Sequence, residues 1–281
     1  MAVNYATRYQ ERTSDLIKVR RKSKEFTNQD WSWDGVNAIV VSTLTDPTMG
    51  NYNANGGANR YGNPTEVEDT QQTFTLGRDR SWTKTIDKKS RDDNMMIKQP
   101  GKYLAQATKN VLVPEMDTYL FQILATTGAV YDRDDIATDA ATDATNAYTN
   151  FTKINADITD HESPEEGRVA AMTAAYYNFL KQSGFVLASD AAYADRKSGD
   201  LGQVDGVKIV VVPASRMPST SGAIDLLISH PAALVAPEKL VDYTKHDNPP
   251  GISGVLMEYR HRYDGFVDVN KVYEIGMHAV A

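Results

Sequence analysis

The chain has 281 residues, 41% of them hydrophobic and 24% charged, enough for one large domain or two modest ones. It holds no cysteine, which excludes disulfides, cysteine-based zinc sites and a thiol nucleophile together, and fits a reducing compartment. Its net charge of −7 is uneven: residues 1–30 carry seven Lys/Arg against four acids, leaving −10 on the rest, and so acidic a body argues against tight nucleic-acid binding by the whole protein. No run of 18 apolar residues is present to span a membrane, and "MAVNYATRYQERTSD" has no apolar core of a signal peptide. Asn150-Phe151-Thr152 matches a glycosylation sequon, and without a secretion signal it reads as chance.

Residues 1–33 lack an apolar period and read as an arm. Its basic cluster, Lys18, Arg20, Arg21, Lys22 and Lys24, reads either as a contact for an anionic partner or as a solvated, mobile segment. Trp31 and Trp33, at period 2, read as a staple of the arm to the body. "DGVNAIVVSTLTD", Asp34 to Asp46, is β-branched and reads as a strand. "MGNYNANGGANRYGNP", Met49 to Pro64, is Gly or Asn at nine of sixteen positions and reads as a soft tip. "TFTLGRDRSWTKTID", Thr73 to Asp87, then alternates, with Phe74, Leu76, Arg78, Arg80, Trp82, Lys84 and Ile86 on one face. The two segments form a candidate long hairpin. Fourteen strand residues at ~3.3 Å would span roughly 46 Å, against a diameter of about 48 Å for a compact chain of this length. Neither face suits a domain centre, so the hairpin is expected to project and to pack on another molecule.

The next element is a helix over roughly Pro100 to Thr127, kinked at Pro114 or split there into two abutting helices. Asp132, Asp134 and Asp135 invite a calcium loop, but Ile136 and Ala137 occupy the positions where an EF-hand needs an oxygen ligand and glycine, so a surface loop is expected. Ala147, Phe151, Ile154 and Ile158 space as one face of a helix over 146–161. "SPEEGR" reads as a turn and "VAAMT" as a strand. "AAYYNFLKQSG" reads as a helix with Thr173 as its N-cap and Gly184 as its stop. "LGQVDGVKIVVVP" is a hairpin turning at Asp205-Gly206. "AIDLLISH" is a strand and "PAALVAPEKL" a short helical turn opened by Pro231. The last segment reads as strand, Asp264-Gly265 turn, strand. Strands and helices intermix without a βαβ repeat, which makes the class α+β.

Catalytic signatures are missing. The sequence has no phosphate loop, no G-x-G-x-x-G, no H-E-x-x-H at His161-Glu162 and no nucleophile elbow. The five histidines, His161, His230, His246, His261 and His278, are dispersed. His261, between two arginines on an alternating strand, is expected on a polar face, and His230 before Pro231 as a helix cap. The fifteen tyrosines do not co-locate with the basic arm, so packing and subunit contacts explain them better than base stacking. No catalytic, cofactor or metal residues are therefore expected, and an enzyme is not.

Taken in order, these elements resemble the tailed-phage major capsid proteins of the Hong Kong 97-like fold, from about Trp31 to Ala279. "WSWDGVNAIVVSTLTDP" and "TFTLGRDRSWTKTID" look like the extended loop, and "KYLAQATKNVLVPEMDTYLFQILA" looks like the spine helix. "SPEEGRVAAMTAAYYNFLKQ", "GQVDGVKIVVVP" and "LLISHPAALVAPEKL" look like the axial domain, and "NPPGISGVLMEYRHRYDGFV" like the returning strands. The resemblance implies an arm over 1–33, an extended loop over 34–90, spine and peripheral domain over 91–145, an axial domain over 146–245 and returning strands over 246–281. It implies a virion shell subunit forming pentamers and hexamers around double-stranded DNA, assembled in the host cytoplasm with a portal. Subunit contacts are expected at Trp31, Trp33, Tyr52, Arg60, Tyr61, Phe74, Arg78, Arg80 and Trp82. Some relatives crosslink through a lysine on the extended loop, yet residues 47–68 hold no lysine. Some carry a fused scaffolding domain, whereas about 33 residues precede the first strand here, so a separate scaffolding protein is expected. Two other readings stay open: an encapsulin-like nanocompartment of the same fold that loads cargo protein, and a soluble enzyme with the hairpin as lid.

Overall fold

A computed structural model describes residues 20–28, 32–34, 38–55, 59–93, 99–127, 143–183, 202–219 and 223–280. In chain order its strands are β1 (Thr27–Asn28), β2 (Ser32–Asp34), β3 (Ala38–Leu44), β4 (Asp69–Thr75), β5 (Asp79–Asp87), β6 (Val169–Thr173), β7 (Gln203–Val204), β8 (Val207–Val212), β9 (Ala223–Ser229), β10 (Leu234–Val235), β11 (Glu238–Asp247), β12 (Gly254–Tyr263), β13 (Phe266–Val267) and β14 (Ile275–Val280). Its helices are α1 (Lys88–Asp93), α2 (Pro100–Ala107), α3 (Val113–Thr127), α4 (Ala147–Asp160) and α5 (Ala174–Gln182). The strands form a five-stranded sheet, β14-β9-β6-β8-β7, and three three-stranded sheets, β1-β10-β13, β11-β12-β5 and β2-β3-β4. Residues 30–76, which contain β2-β3-β4, make one compact unit, and 1–29 with 77–281 make another.

The five-stranded sheet is buried on both faces, and every residue of β6 is inaccessible. On one face Ala170, Met172, Leu226 and Ile228 meet Phe151, Ile154 and Ile158 of α4 and Tyr176 and Leu180 of α5. The helical period at Ala147, Phe151, Ile154 and Ile158 thus marks the side of α4 that leaves water. On the other face Val169, Ala171, Val210, Val212 and Leu227 join Leu120, Phe121 and Leu124 of α3, and Phe26. Thr173 caps α5, its hydroxyl accepting the Tyr176 N–H at 3.3 Å. Asp205 and Gly206 both take positive φ, 49° and 77°, as a tight hairpin turn requires. The buried Arg168 ties up the preceding turn by donating to the backbone oxygens of Ser163, Pro164 and Asn155.

The helix predicted over Pro100 to Thr127 is continuous through a wide turn. Residues Thr108–Leu112 adopt π geometry between α2 and α3, and the Val113 N–H reaches back to the Thr108 carbonyl. Pro114 has no N–H to give Asn110 and its ring would clash with that carbonyl, so the added residue in the turn relieves both faults.

Several expectations are corrected. Thr73 to Asp87 is not one strand: β4 pairs with β3, whereas β5 pairs with β12. The break is at Gly77, whose N–H donates to Asp264 Oδ2 at 2.8 Å, and at Arg78, whose carbonyl accepts from the Tyr263 N–H at 3.2 Å. Nor do the strands on either side of Asp264-Gly265 pair with each other, because β12 joins β11 and β5 while β13 joins β10. The "helical turn" reading of 231–240 holds only for Pro231–Ala233; the chain then extends through β10 into β11. His230 does cap that turn, its Nδ1 accepting the Ala232 N–H at 3.2 Å. His261 lies on the buried face of β12, not the polar one, 3% exposed between the rings of Tyr259 and Tyr263. Gly254 has no alternative residue, since a Cβ there would stand 2.1 Å from the Ile86 carbonyl oxygen. The Asp132–Asp135 loop, Gly184, Lys18 and Trp31 lie outside the described residues, as does the side chain of Trp33.

The basic arm is not simply solvated either. Asp117 of α3, fully buried, accepts the backbone N–H groups of Lys22 and Ser23 at 3.0–3.1 Å and the Arg216 guanidinium at 2.7 Å. Arg216 also donates to the Arg20 carbonyl at 3.1 Å. Phe26 is buried edge-on against Phe121, their centroids 5.4 Å apart, and β1 continues parallel to β10. Asp117→Ala would strand the buried Arg216, and the unassembled subunit is expected to lose about 3–5 kcal/mol. The drop in urea midpoint at constant slope measures it. Asp117→Ala with Arg216→Met should recover most of the loss, and an unchanged midpoint in the single variant would show that the pair is solvated.

Candidate assembly surface

Residues 30–76 form an antiparallel ladder with a long connection at its end. β3 and β4 pair from Ala38↔Thr75 to Leu44↔Asp69. Thr45 N–H adds one more rung to the Glu68 carbonyl at 3.0 Å. Every described residue from 45 to 68 is exposed. What orders this connection is local: Asn53 N–H donates to the Arg60 carbonyl and Gly62 N–H to the Asn59 carbonyl, both at 3.0 Å. Asn59 and Gly62 take positive φ, 60° and 94°, the conformation that Asn and Gly tolerate best. Asn59 Nδ2 donates to Asn63 Oδ1 at 3.0 Å. The Gly/Asn content thus supplies tight reversals and side-chain hydrogen bonds where no core is available.

Apolar groups nevertheless stand in water here. Met49 is 92% exposed and Tyr61 93%, and Leu44, Tyr52 and Val67 are also exposed. Tyr52 and Tyr61 touch edge to face, centroids 5.0 Å apart, and Arg60 sits beside them in sequence. Four large apolar side chains on one 24-residue connection, with Leu44 at the end of β3 beside them, exceed the scattered singles of an ordinary surface.

The other expected contact residues are placed differently. Phe74 is half-buried on β4. Arg78 Nη2 and Arg80 Nε both donate to Glu115 Oε1, at 2.7 and 2.6 Å. Burial pushes the Glu115 carboxyl up, but the two arginines outweigh it and hold the group below its ordinary value. The Arg78 guanidinium lies 4.0 Å from the centre of the Tyr119 ring and donates to the Tyr263 hydroxyl. Trp82 stacks on Tyr259 at 5.8 Å and meets Tyr103 edge-on at 5.7 Å. These three side chains are therefore held within their own unit, where alternation alone placed them on one face with the tip.

Sequence reasoning missed a second group, at the docked arm. Glu238 receives Arg21 Nη1, and the buried His261 has its Nε2 3.6 Å from Glu238 Oε2. The His261 ring is the largest influence on this carboxyl, burial opposes it, and Arg21 adds to it; together they hold Glu238 at about 2 against an ordinary 4.5. No motif links residues 21, 238 and 261; only the pairing of β11 with β12 brings the last two together. Among the described residues, no group of three His, Asp or Glu is placed to hold a metal ion, and none of the helices is long and apolar enough to cross a membrane.

No family model matches the chain, and no curated protein matches its sequence. Solved structures do match over nearly the whole length. A chain from Mycobacterium phage Che8 aligns with 98% of this chain and 98% of its own, at 19% identity and a TM-score of 0.72. A chain in the capsid structure of the cyanophage P-SCSP1u covers 98% and 92%, at 14% identity and 0.72. One in the asymmetric unit of the mature capsid of bacteriophage PhiM1 covers 99% and 92%, at 15% identity and 0.70. What these identities share is a fold, and the fold is α+β, that of subunits in phage capsids, as the Hong Kong 97-like resemblance implied.

Two outcomes follow from this geometry. Because the Glu238 carboxyl is lowered in the folded state, its stabilisation is complete above pH 4.5 and is lost as pH falls from there toward about 2. The stability gap between wild type and Glu238→Gln should therefore be constant near neutrality and close across that window in urea titrations; a gap independent of pH would mean that the carboxylate is not engaged. Replacing residues 47–68 by Asn-Gly, which suits a tight turn, removes the exposed connection and keeps the β3–β4 rungs. Since loop length changes closure cost by only about 0.6 kcal/mol per doubling, the melting of the unassembled subunit should stay nearly unchanged. Outright unfolding would mean that the connection belongs to the core.

Proposed function

We propose that the chain is the major shell subunit of a phage head, self-assembling into pentamers and hexamers of a closed icosahedral capsid that encloses double-stranded DNA. The observation that carries this reading is the exposed connection 45–68, with four large apolar side chains that nothing in its own unit covers. A monomer gains nothing from such a surface; a lattice in which each copy meets its neighbours through it gains the contact at every subunit. The same fold in chains of the cyanophage and PhiM1 capsids supports it. In this reading Tyr52, Tyr61, Met49 and Arg60 meet a neighbouring subunit, and Phe74, Arg78, Arg80 and Trp82 are proposed as further subunit contacts. The subunit works in the virion without catalytic chemistry of its own, with a separate scaffolding protein and a portal as further partners.

The mechanism is additive association. A contact of ~1–2 kcal/mol is weak alone, yet each 1.4 kcal/mol changes an equilibrium constant tenfold, and the contact recurs at each copy. Covalent closure is not needed: residues 47–68 hold no lysine and the chain holds no cysteine. Light scattering and negative-stain microscopy of the expressed protein, with scaffold supplied, should show capsomers or closed particles. Those particles, boiled on a denaturing gel, should give one band near 31.1 kDa. A strict monomer at high concentration overturns the shell, a covalent ladder overturns the non-covalent lattice, and particles filled with protein cargo in place of DNA would assign the chain to a nanocompartment.

A further inference from the structure

The arm docks through the side chains of Arg21, Glu25 and Phe26 and through backbone groups of Arg20, Lys22 and Ser23, and this leaves a specific set of cations unused. Arg21 is consumed by Glu238, Ser23 is buried with its N–H on Asp117, Glu25 is paired with Lys208 at 2.8 Å, and Phe26 is buried against Phe121. Arg20 and Lys22 contribute only backbone groups to this docking, and the Lys24 carbonyl accepts the Thr27 hydroxyl within the arm. Among the described residues none receives a hydrogen bond or an ion pair from their side chains; Arg20 and Lys24 are exposed and Lys22 half-exposed. The nearby acids are spent: Asp117 on Arg216, Glu238 on Arg21, Glu25 on Lys208. The result is three positive charges without an acidic partner among the described residues, on a chain whose remaining residues are strongly acidic.

We infer that Arg20, Lys22 and Lys24 form a contact for the phosphate backbone of duplex nucleic acid. This deepens the shell reading by naming a surface that would face the enclosed DNA. Sequence-independent phosphate contact fits what is there. The docked segment 20–28 offers no exposed aromatic ring on which an unpaired base could stack, since its one ring, Phe26, is buried. Its one helical element is a single 3-10 turn, Ser23–Phe26, with Ser23 and Phe26 buried and too short to fill a major groove, and it offers no two-stranded ribbon. Lysine and arginine side chains on a fixed backbone suffice to hold phosphates, and they carry no sequence information. The acidic remainder opposes close approach, so a single subunit binds weakly, and a shell lined with copies binds by repetition.

The test is fluorescence anisotropy of a labelled mixed-sequence duplex titrated with the unassembled full-length subunit, from about 20 to about 200 mM salt. Wild type should bind at the low end, and Arg20→Gln/Lys22→Gln/Lys24→Gln should weaken binding there by tenfold or more. The slope of log affinity against log salt should become shallower by about 2.7, or 0.9 per lost phosphate contact. The urea midpoint of the triple variant should match wild type, because no described contact is removed. No wild-type binding at the lowest salt, or an unchanged slope in the variant, overturns the inference. Polyglutamate that binds the same three residues as tightly as duplex overturns it in favour of an acidic protein partner. Wild-type protein that binds duplex yet never assembles would sink the shell and leave this contact standing, so the two failures are separable.

Discussion

Much of the larger unit is organised around one carboxylate. Asp117 sits on α3 with no access to water and gathers two backbone N–H groups from the arm and a guanidinium from the turn Ala214–Arg216. Those partners lie 95, 94 and 99 residues away in sequence. Taking such a pair out of water costs several kcal/mol per ion and is offset only when geometry and extra hydrogen bonds are good. The return is therefore position more than net stability. With three donors already directed at it, Asp117 tolerates no slip of the arm along α3, because a slip would leave a buried charge unmet. Phe26 can reach Phe121, and β1 can lie beside β10, only once that register is set.

The two units cohere by different means. The larger one has three separate apolar clusters, and its five-stranded sheet is packed on both faces. The smaller one relies on a ladder of three strands, with Ile39 and Leu76 as its buried apolar residues among those described. A ribbon of this kind is marginal by backbone pairing alone. Its end carries apolar side chains that a monomer leaves wet, so the free energy they hold back is available to a contact with another copy.

Where a segment's own chemistry decides its structure, it was legible in the sequence. The period of α4, the Thr173 cap, the Asp205-Gly206 turn and the His230 cap each depend on neighbours within a few residues. The misses depend on distant partners. Strand β11, "EKLVDYTKHD", is charged along its length because it is a sheet edge, where charge protects an open rim and hides the strand from a hydrophobic pattern. The break between β4 and β5 was invisible because apolar residues keep to even positions on both sides of it, from Phe74 to Ile86. Only the acceptor Asp264, 187 residues from Gly77, shows that the ladder ends there. The tip was legible as soft and exposed; that it keeps internal hydrogen bonds was not, since these run through Asn side chains and backbone groups that composition does not order.

Local packing also decides which charges are available. In composition Arg21, Arg78 and Arg168 look like surface cations, yet each points inward and is held, by Glu238, by Glu115 and by backbone oxygens. His261 follows the same rule between Arg260 and Arg262: it turns in where they turn out, so a residue that reads as part of a basic stripe becomes the neighbour that keeps Glu238 ionised. A cluster such as "KVRRKSK" therefore has no fixed meaning as a sum of charges. Arg21 and Ser23 lock the arm to the body, while the side chains of Arg20, Lys22 and Lys24 stay exposed or half-exposed. Which members do which follows from the register that Asp117 imposes, so the buried carboxylate determines which charges the arm presents to solvent.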